Sequence, residues 1–206
     1  MNSNIHANVV TDFSPVSHSP RIDPTSYVHH LATVIGNVFI GKRVMVAPAA
    51  SVRGDEGQPI HISDEANVQD GVVIHALETF SDGAPVEKNL VKVAGEHYAV
   101  YVGKRVSLAH QCQIHGPASV DDDSFIGMQA LVFKSSVGPK CVVEPKALVL
   151  GVTVAEGRYV PAGSIITTQK QADELPEITD DYSFKNLNTG VVHVNTHLAD
   201  AYNKKK

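Results

Sequence analysis

Residues 102–132 read VGKRVSLAHQCQIHGPASVDDDSFIGMQALV. Every sixth position in this stretch is aliphatic: Val102, Leu108, Ile114, Val120, Ile126 and Val132. A strict period of six matches neither a helix nor a long alternating strand. It fits a parallel β-helix of hexapeptide repeats, in which each hexapeptide is a short strand plus a turn. Three of them close a triangular coil of about eighteen residues with the aliphatic side chain inside. The predicted fold class is therefore an all-β solenoid. Working outward, Val28, Val34, Ile40, Val46 and Val52 keep the same period, as do Ile62, Val68 and Ile74. Val143 and Val149, then Val154, Val160 and Ile166, finish the coils after small slips.

Two interruptions stand out. A four-residue insertion carries Arg53, Asp55, Glu56 and Gly57, and a polar excursion runs over about 77–97. The domain reading is an N-terminal arm over 1–20, a β-helix over 21–168 holding that loop, and a helical segment over 169–206. Asp180 or Asp181 is the expected N-cap of a final helix. Phe184, Leu187, Val191, Val194, Leu198 and Tyr202 form its apolar stripe, which should pack on a coil face or a neighbour. Lys204–Lys206 suit its C-terminal dipole.

Composition narrows the function. Among 206 residues, aromatics are scarce at 6% and Trp is absent, which suits a core of Val, Ile, Ala and Cys. The formal net charge of -5 argues against a nucleic-acid partner. Two cysteines make no disulfide framework, and both Cys112 and Cys141 are expected in the structure rather than in chemistry. No stretch approaches the roughly 20 apolar residues of a membrane span. The N-terminus has no secretory pattern as written, so the expectation is a cytoplasmic protein or one from which a leader has been removed.

The histidines carry the chemistry. His75 follows the inward Ile74 by one residue, and His115 follows the inward Ile114 by one. Ile74 to Ile114 is forty residues. Removing the excursion leaves one coil, so the two histidines should lie on adjacent rungs about 4.8 Å apart. Two imidazoles at that spacing can share one ion. His110 follows Leu108 by two residues and should point elsewhere. If copies associate by threes, His110 of a neighbour can complete the site, giving three equivalent metal sites at subunit interfaces. The plain alternative is that each histidine is only a hydrogen-bonding surface residue at a coil corner. Arg53 and Gln69 occupy the same repeat slot as the histidines. Arg53 needs a carboxylate, with Asp55 and Asp70 as candidates, and a structural interface salt bridge is the favoured role. Glu56 and Glu78 could flank the metal.

In the stretches Arg53–Gly57, Asn67–Thr79 and Ser107–Pro117, this sequence resembles the γ-class carbonic anhydrases, and the similarity extends over nearly the whole chain. It looks most like the branch whose first metal histidine is followed by an acidic loop. The resemblance implies a left-handed β-helix trimer with metal ligands His75, His110 and His115. It implies that Gln69 orients the attacking hydroxide, that Glu56 takes part in proton transfer, and that Glu78 passes the proton to buffer. Asn67 and Asn195 match family positions near the substrate pocket. Arg53 with Asp55 and Asp70 would hold the subunit interface. One departure is a loop, Glu78–Asn89, with fewer acids than that branch usually has, which predicts slower proton export.

The implied reaction is reversible hydration of carbon dioxide to bicarbonate. Three neutral imidazoles leave a tetrahedral position open, as catalytic sites do. Zn2+ suits them, and Fe2+ or Co2+ also bind imidazole. Two other functions share the fold: a hexapeptide acyltransferase using one histidine as general base, and a catalytically silent metal-binding trimer or complex subunit.

Overall fold

The computed structural model describes residues 4–205. Three parallel sheets of eight, seven and seven strands wrap one prism. The repeat explains the pairing. Every inward aliphatic residue stacks on its counterpart one coil on: Ile74 is the register partner of Val52 on one side and Ile114 on the other, and Ile114 of Val132. Ile74, Leu108, Ile114, Val120 and Ile126 are completely buried. Each such side chain contributes about 1.5–3 kcal/mol of burial. Cys112 and Cys141 are free thiols inside this core, and burial pushes the Cys141 thiol up to about 11.

The corners are where left-handed backbone appears. Gln111, next to His110, has φ +61°. Gly36 has φ +79°, and a Cβ there would meet the Gly54 carbonyl oxygen at 2.4 Å, so only glycine fits.

The excursion leaves the coil without shifting it. Ile62 still pairs with Val102 and Ile74 with Ile114 across it. Within it, Phe80–Ser81 and Ala84–Pro85 form one hairpin, Val91–Val93 and Glu96–Tyr98 a second.

Within the N-terminal arm, Ile5–His6 forms a strand paired with Val34–Ile35, and just after the arm Arg21–Ile22 pairs with Phe39–Ile40. Asn8 holds the intervening loop through hydrogen bonds with Ser14, Val16 and His18.

Helix α1 (Gln169–Asp173) closes the prism with a capping box at Thr168 and Gln171. Helix α2 (Leu187–Asn203) lies across the seven-stranded face that includes Tyr27–Val28, Met45–Val46, Asn67–Val68 and Ser107–Leu108. Arg43 binds Asp200 at 2.9 Å, and Tyr202 stacks on Tyr27. One expectation for α2 needs correction. Asp180 and Asp181 do not cap it: Asn186 is its N-cap position, without a side-chain cap, and Asp180 instead ion-pairs Lys185. The buried side is Asn188, Val192, Thr196 and Ala199, whereas Val194 is 54% exposed and Leu198 39%. The apolar stripe is thus divided: Leu187 and Val191 pack toward Ala109, Phe125 and Val142 of its own coil and Tyr202 on Tyr27, while Val194 and Leu198 stay exposed. Lys204 does follow the helix; Lys206 lies outside the described residues.

Candidate active site

The eight-stranded face carries the first group. Successive strands Ser51–Gly54, Val73–His75 and Gln113–His115 put Arg53, His75 and His115 in one column. His75 and His115 are register partners, with ring centroids 5.6 Å apart. Phe133, on the next strand, sits edge-on to His115 at 5.1 Å. The His115 Nδ1 is 3.2 Å from the Gly116 carbonyl. With the proton donated there, Nε2 keeps its lone pair for a metal.

His75 Nε2 lies 2.8 Å from Arg53 Nη2 and 3.2 Å from both Asp55 Oδ1 and Glu56 Oε1. A neutral imidazole cannot accept from Arg53 and donate to a carboxylate through one nitrogen, and the Arg53 contact is the shorter. Burial, and next the Arg53 charge, pull the His75 pKa below 6.5, which favours the neutral ring that metals bind. Arg53 Nε also reaches Asp55 Oδ2 at 3.3 Å.

Glu56 is partly buried. Burial, and then the neighbouring Asp55 charge, raise its carboxyl above the ordinary range, with Glu78 adding to the effect. Thr79 fixes it in place. This wholly buried hydroxyl donates to the Glu56 carbonyl and accepts from the Gln58 amide at 2.7 Å. Thr79 was inside the matching stretch but carried no predicted role, because a lone Thr after an acid has no sequence signature of its own. Glu78 is exposed, and its carbonyl accepts from Asn89 Nδ2 at 2.6 Å across the loop.

A second group lies at another corner, under α2. Gln69 shares the histidines' repeat slot but stands on the α2-covered face, so slot alone did not place it. Gln69 Nε2 donates to Asn67 Oδ1 at 2.9 Å, and Asn67 Nδ2 donates to Ser107 Oγ at 2.8 Å. All three are buried. Ser107 was missed for the same reason as Thr79. His110 projects from the corner, with Nδ1 3.0 Å from Asp70 Oδ2. Asp70 is therefore engaged with His110 and, within one chain, not with Arg53. Gln69, Asp70, His110 and Asn195 line a cleft of about 760 Å³, whose other wall is the apolar stripe of α2. Asn195 Nδ2 donates to the Val191 carbonyl at 2.9 Å.

Within one chain, no three His, Cys, Asp or Glu side chains among the described residues converge on a metal position. The candidate residues form two incomplete halves on different faces. The donor chemistry fits a metal nonetheless: two neutral imidazoles side by side, one with its tautomer fixed by a backbone carbonyl.

Fold and site together define a hexapeptide-repeat β-solenoid with a histidine pair on adjacent rungs. The chain is 58% identical over 201 residues, 97% of its length and 81% of the relative's, to a carbonic anhydrase of Methanosarcina thermophila. It is 30% identical over 148 residues, 71% of its length, to a mitochondrial γ carbonic anhydrase of Arabidopsis thaliana, of which it spans 46%. This chain belongs to the γ-class carbonic anhydrase family. It is also 46% identical over 158 residues to a carboxysome assembly protein, CcmM, of a Nostoc species, of which it spans 27%. Among solved structures, a hexapeptide transferase family protein from Anaplasma phagocytophilum superposes with a TM-score of 0.66 at 21% identity, covering 91% of this chain and 94% of that one. That likeness shows the left-handed hexapeptide fold and nothing of the reaction. No family model matches.

Proposed function

We propose that the chain catalyses the reversible hydration of carbon dioxide at a metal held between neighbouring copies, by His75 and His115 of one and His110 of the next. The observation that carries this reading is the register pairing of His75 with His115, with His110 turned out at a separate corner. A divalent ion held there, zinc or iron, would supply Lewis-acid chemistry that lowers the pKa of water toward about 7, the known value for carbonic anhydrase zinc. The protein's own groups do the rest. Gln69, anchored by Asn67 and Ser107, presents a fixed donor or acceptor to the nucleophilic oxygen. Glu56, with its raised pKa, accepts a proton more readily than an ordinary carboxylate. Glu78, exposed at the loop, hands it to buffer. Asn195 and the apolar wall of α2 shape the side of the pocket that receives an uncharged gas. For His75 Nε2 to hold the metal, Arg53 would turn from it to Asp55 and to Asp70 of a neighbouring copy, whose carboxylates would hold it. The assembly is a trimer working in the cytoplasm.

Stopped-flow carbon dioxide hydration tests this. Chelation should abolish activity and zinc or iron should restore it; a metal-independent rate sinks the proposal. Glu78→Ala should slow turnover at low buffer and recover as buffer is raised. A second reading, a silent metal-binding scaffold, is favoured by the likeness to carboxysome assembly proteins. A metal-loaded assembly with no hydration would support it.

A further inference from the structure

The outward side of α2 holds a feature that the proposed reaction does not use. His193 and His197 are four residues apart on a regular helix, so both project from one side. Both are exposed, and their ring centroids are 4.2 Å apart with 45° between planes. The His197 Nδ1 lies 2.7 Å from the His193 carbonyl oxygen. With the Nδ1 proton donated there, the ring is locked in the tautomer whose Nε2 lone pair points away from the helix. Metal-bound histidines are fixed in the same way by a backbone carbonyl. Neither ring nitrogen of His193 takes part in a side-chain hydrogen bond among the described residues, so that ring can turn to match.

We propose that His193 and His197 chelate one borderline divalent cation, independently of the His75, His110 and His115 centre. The cation class follows from the donors. Two neutral imidazoles with water on the remaining positions favour Cu2+, Ni2+ and Zn2+ over Mg2+ or Ca2+. Paired histidines at this spacing on a helix face are a recurrent zinc-binding arrangement. Asp200, one turn further on, does not add a third ligand, because Arg43 holds it at 2.9 Å through Nη2 and 3.3 Å through Nε. At 3.6 residues per turn, the pair sits about a quarter of a turn, roughly 100°, around the helix from Val194 and Leu198. An ion there stays clear of the cleft that holds Gln69 and His110. By tying adjacent turns together, it fastens the segment that also carries Asn195.

The plain alternative is two stacked surface histidines that take metal singly and weakly. Chelation and single-site binding differ in what one substitution does. Protein carrying its own metal is titrated with Ni2+ by calorimetry, alongside His193→Gln, His197→Gln and His29→Gln. The last variant controls for the other close histidine pair, His29 and His30, with tilted rings whose centroids are 4.3 Å apart. The expected result is one added Ni2+ per chain in the wild type. Either α2 variant alone should weaken it at least about tenfold and to the same level, because the second ligand acts at high effective concentration. His29→Gln should leave it unchanged. Hydrogen exchange gives a second readout: Ni2+ should slow the amides of 193–203 in the wild type and in neither α2 variant. Wild-type affinity in either α2 variant, absence of added Ni2+, or loss of binding in His29→Gln overturns the proposal.

Discussion

Asn67 shows how much a single polar residue is asked to do. It is completely buried, accepts from Gln69 and donates to Ser107. Asn67→Leu would keep the volume but strand both partners. The expected cost is about 1–3 kcal/mol in urea unfolding. Metal content should stay unchanged while kcat falls, because Gln69 loses its anchor; unchanged kcat would remove Gln69 from the reaction. His61 gives the pH prediction. Its ring lies between Phe39 at 4.7 Å and Tyr101 at 5.3 Å. Burial, opposed by Asp64 and helped by Arg21, lowers its pKa below 6.5. The unfolded chain therefore takes up this proton at a higher pH than the folded one. Stability contributed by the neutral ring is present above the unfolded value and is lost as pH falls from about 6.5 toward the folded one. His61→Gln should flatten that part of a denaturation-midpoint profile, and an unaltered slope would assign it to other groups.

At the scale of elements, the strand from Gln113 to His115 is the one to perturb. Ile114 is completely buried between Ile74 and Val132. Ile114→Ala should cost about 2–5 kcal/mol, read as a lower denaturant midpoint. It should also weaken metal retention, since His115 is the next residue on that strand. This element was legible because an inward position at every sixth residue leaves no freedom of register. Helix α2 was legible in existence, and the division of its stripe was not: Leu187 and Val191 pack on the coil while Val194 and Leu198 stay exposed. Its coil-facing side uses Asn188, whose Nδ2 donates to the Arg105 carbonyl, and Thr196, whose hydroxyl donates back to Val192. An apolar stripe marks a face that avoids water, but it does not say whether its own coil or another chain provides cover. Asp180 looked like a cap because its type favours that position, yet Lys185 lies close enough to take its charge. The short N-terminal strand was invisible since two residues, Ile5 and His6, make no period.

Across the whole molecule, the candidate site is in halves. His75 and His115 stand on one face, while Gln69, Asn67, His110 and Asn195 gather at another corner. The sequence separated His110 from the other histidines by slot, but could not place Gln69, which shares their slot on a different sheet. The exposed Val194 and Leu198 lie beside the His110 half. Val194→Asp should leave the circular dichroism of the chain intact while lowering its mass by light scattering and its retained metal together. A monomer that keeps activity and its full metal content would overturn the shared site.

The coil on either side of the loop at 77–97 pairs as if the loop were absent. With Glu78 in its proposed role, folding and proton export are therefore separable traits of this chain. Lengthening the loop or changing its charge leaves the strand pairing that aligns His75 with His115 untouched, while the surroundings of the exposed Glu78 are rebuilt. Variation can tune the speed of such a protein at that one detour, and natural sequences should differ there in length and acidity far more than in the rungs that flank it.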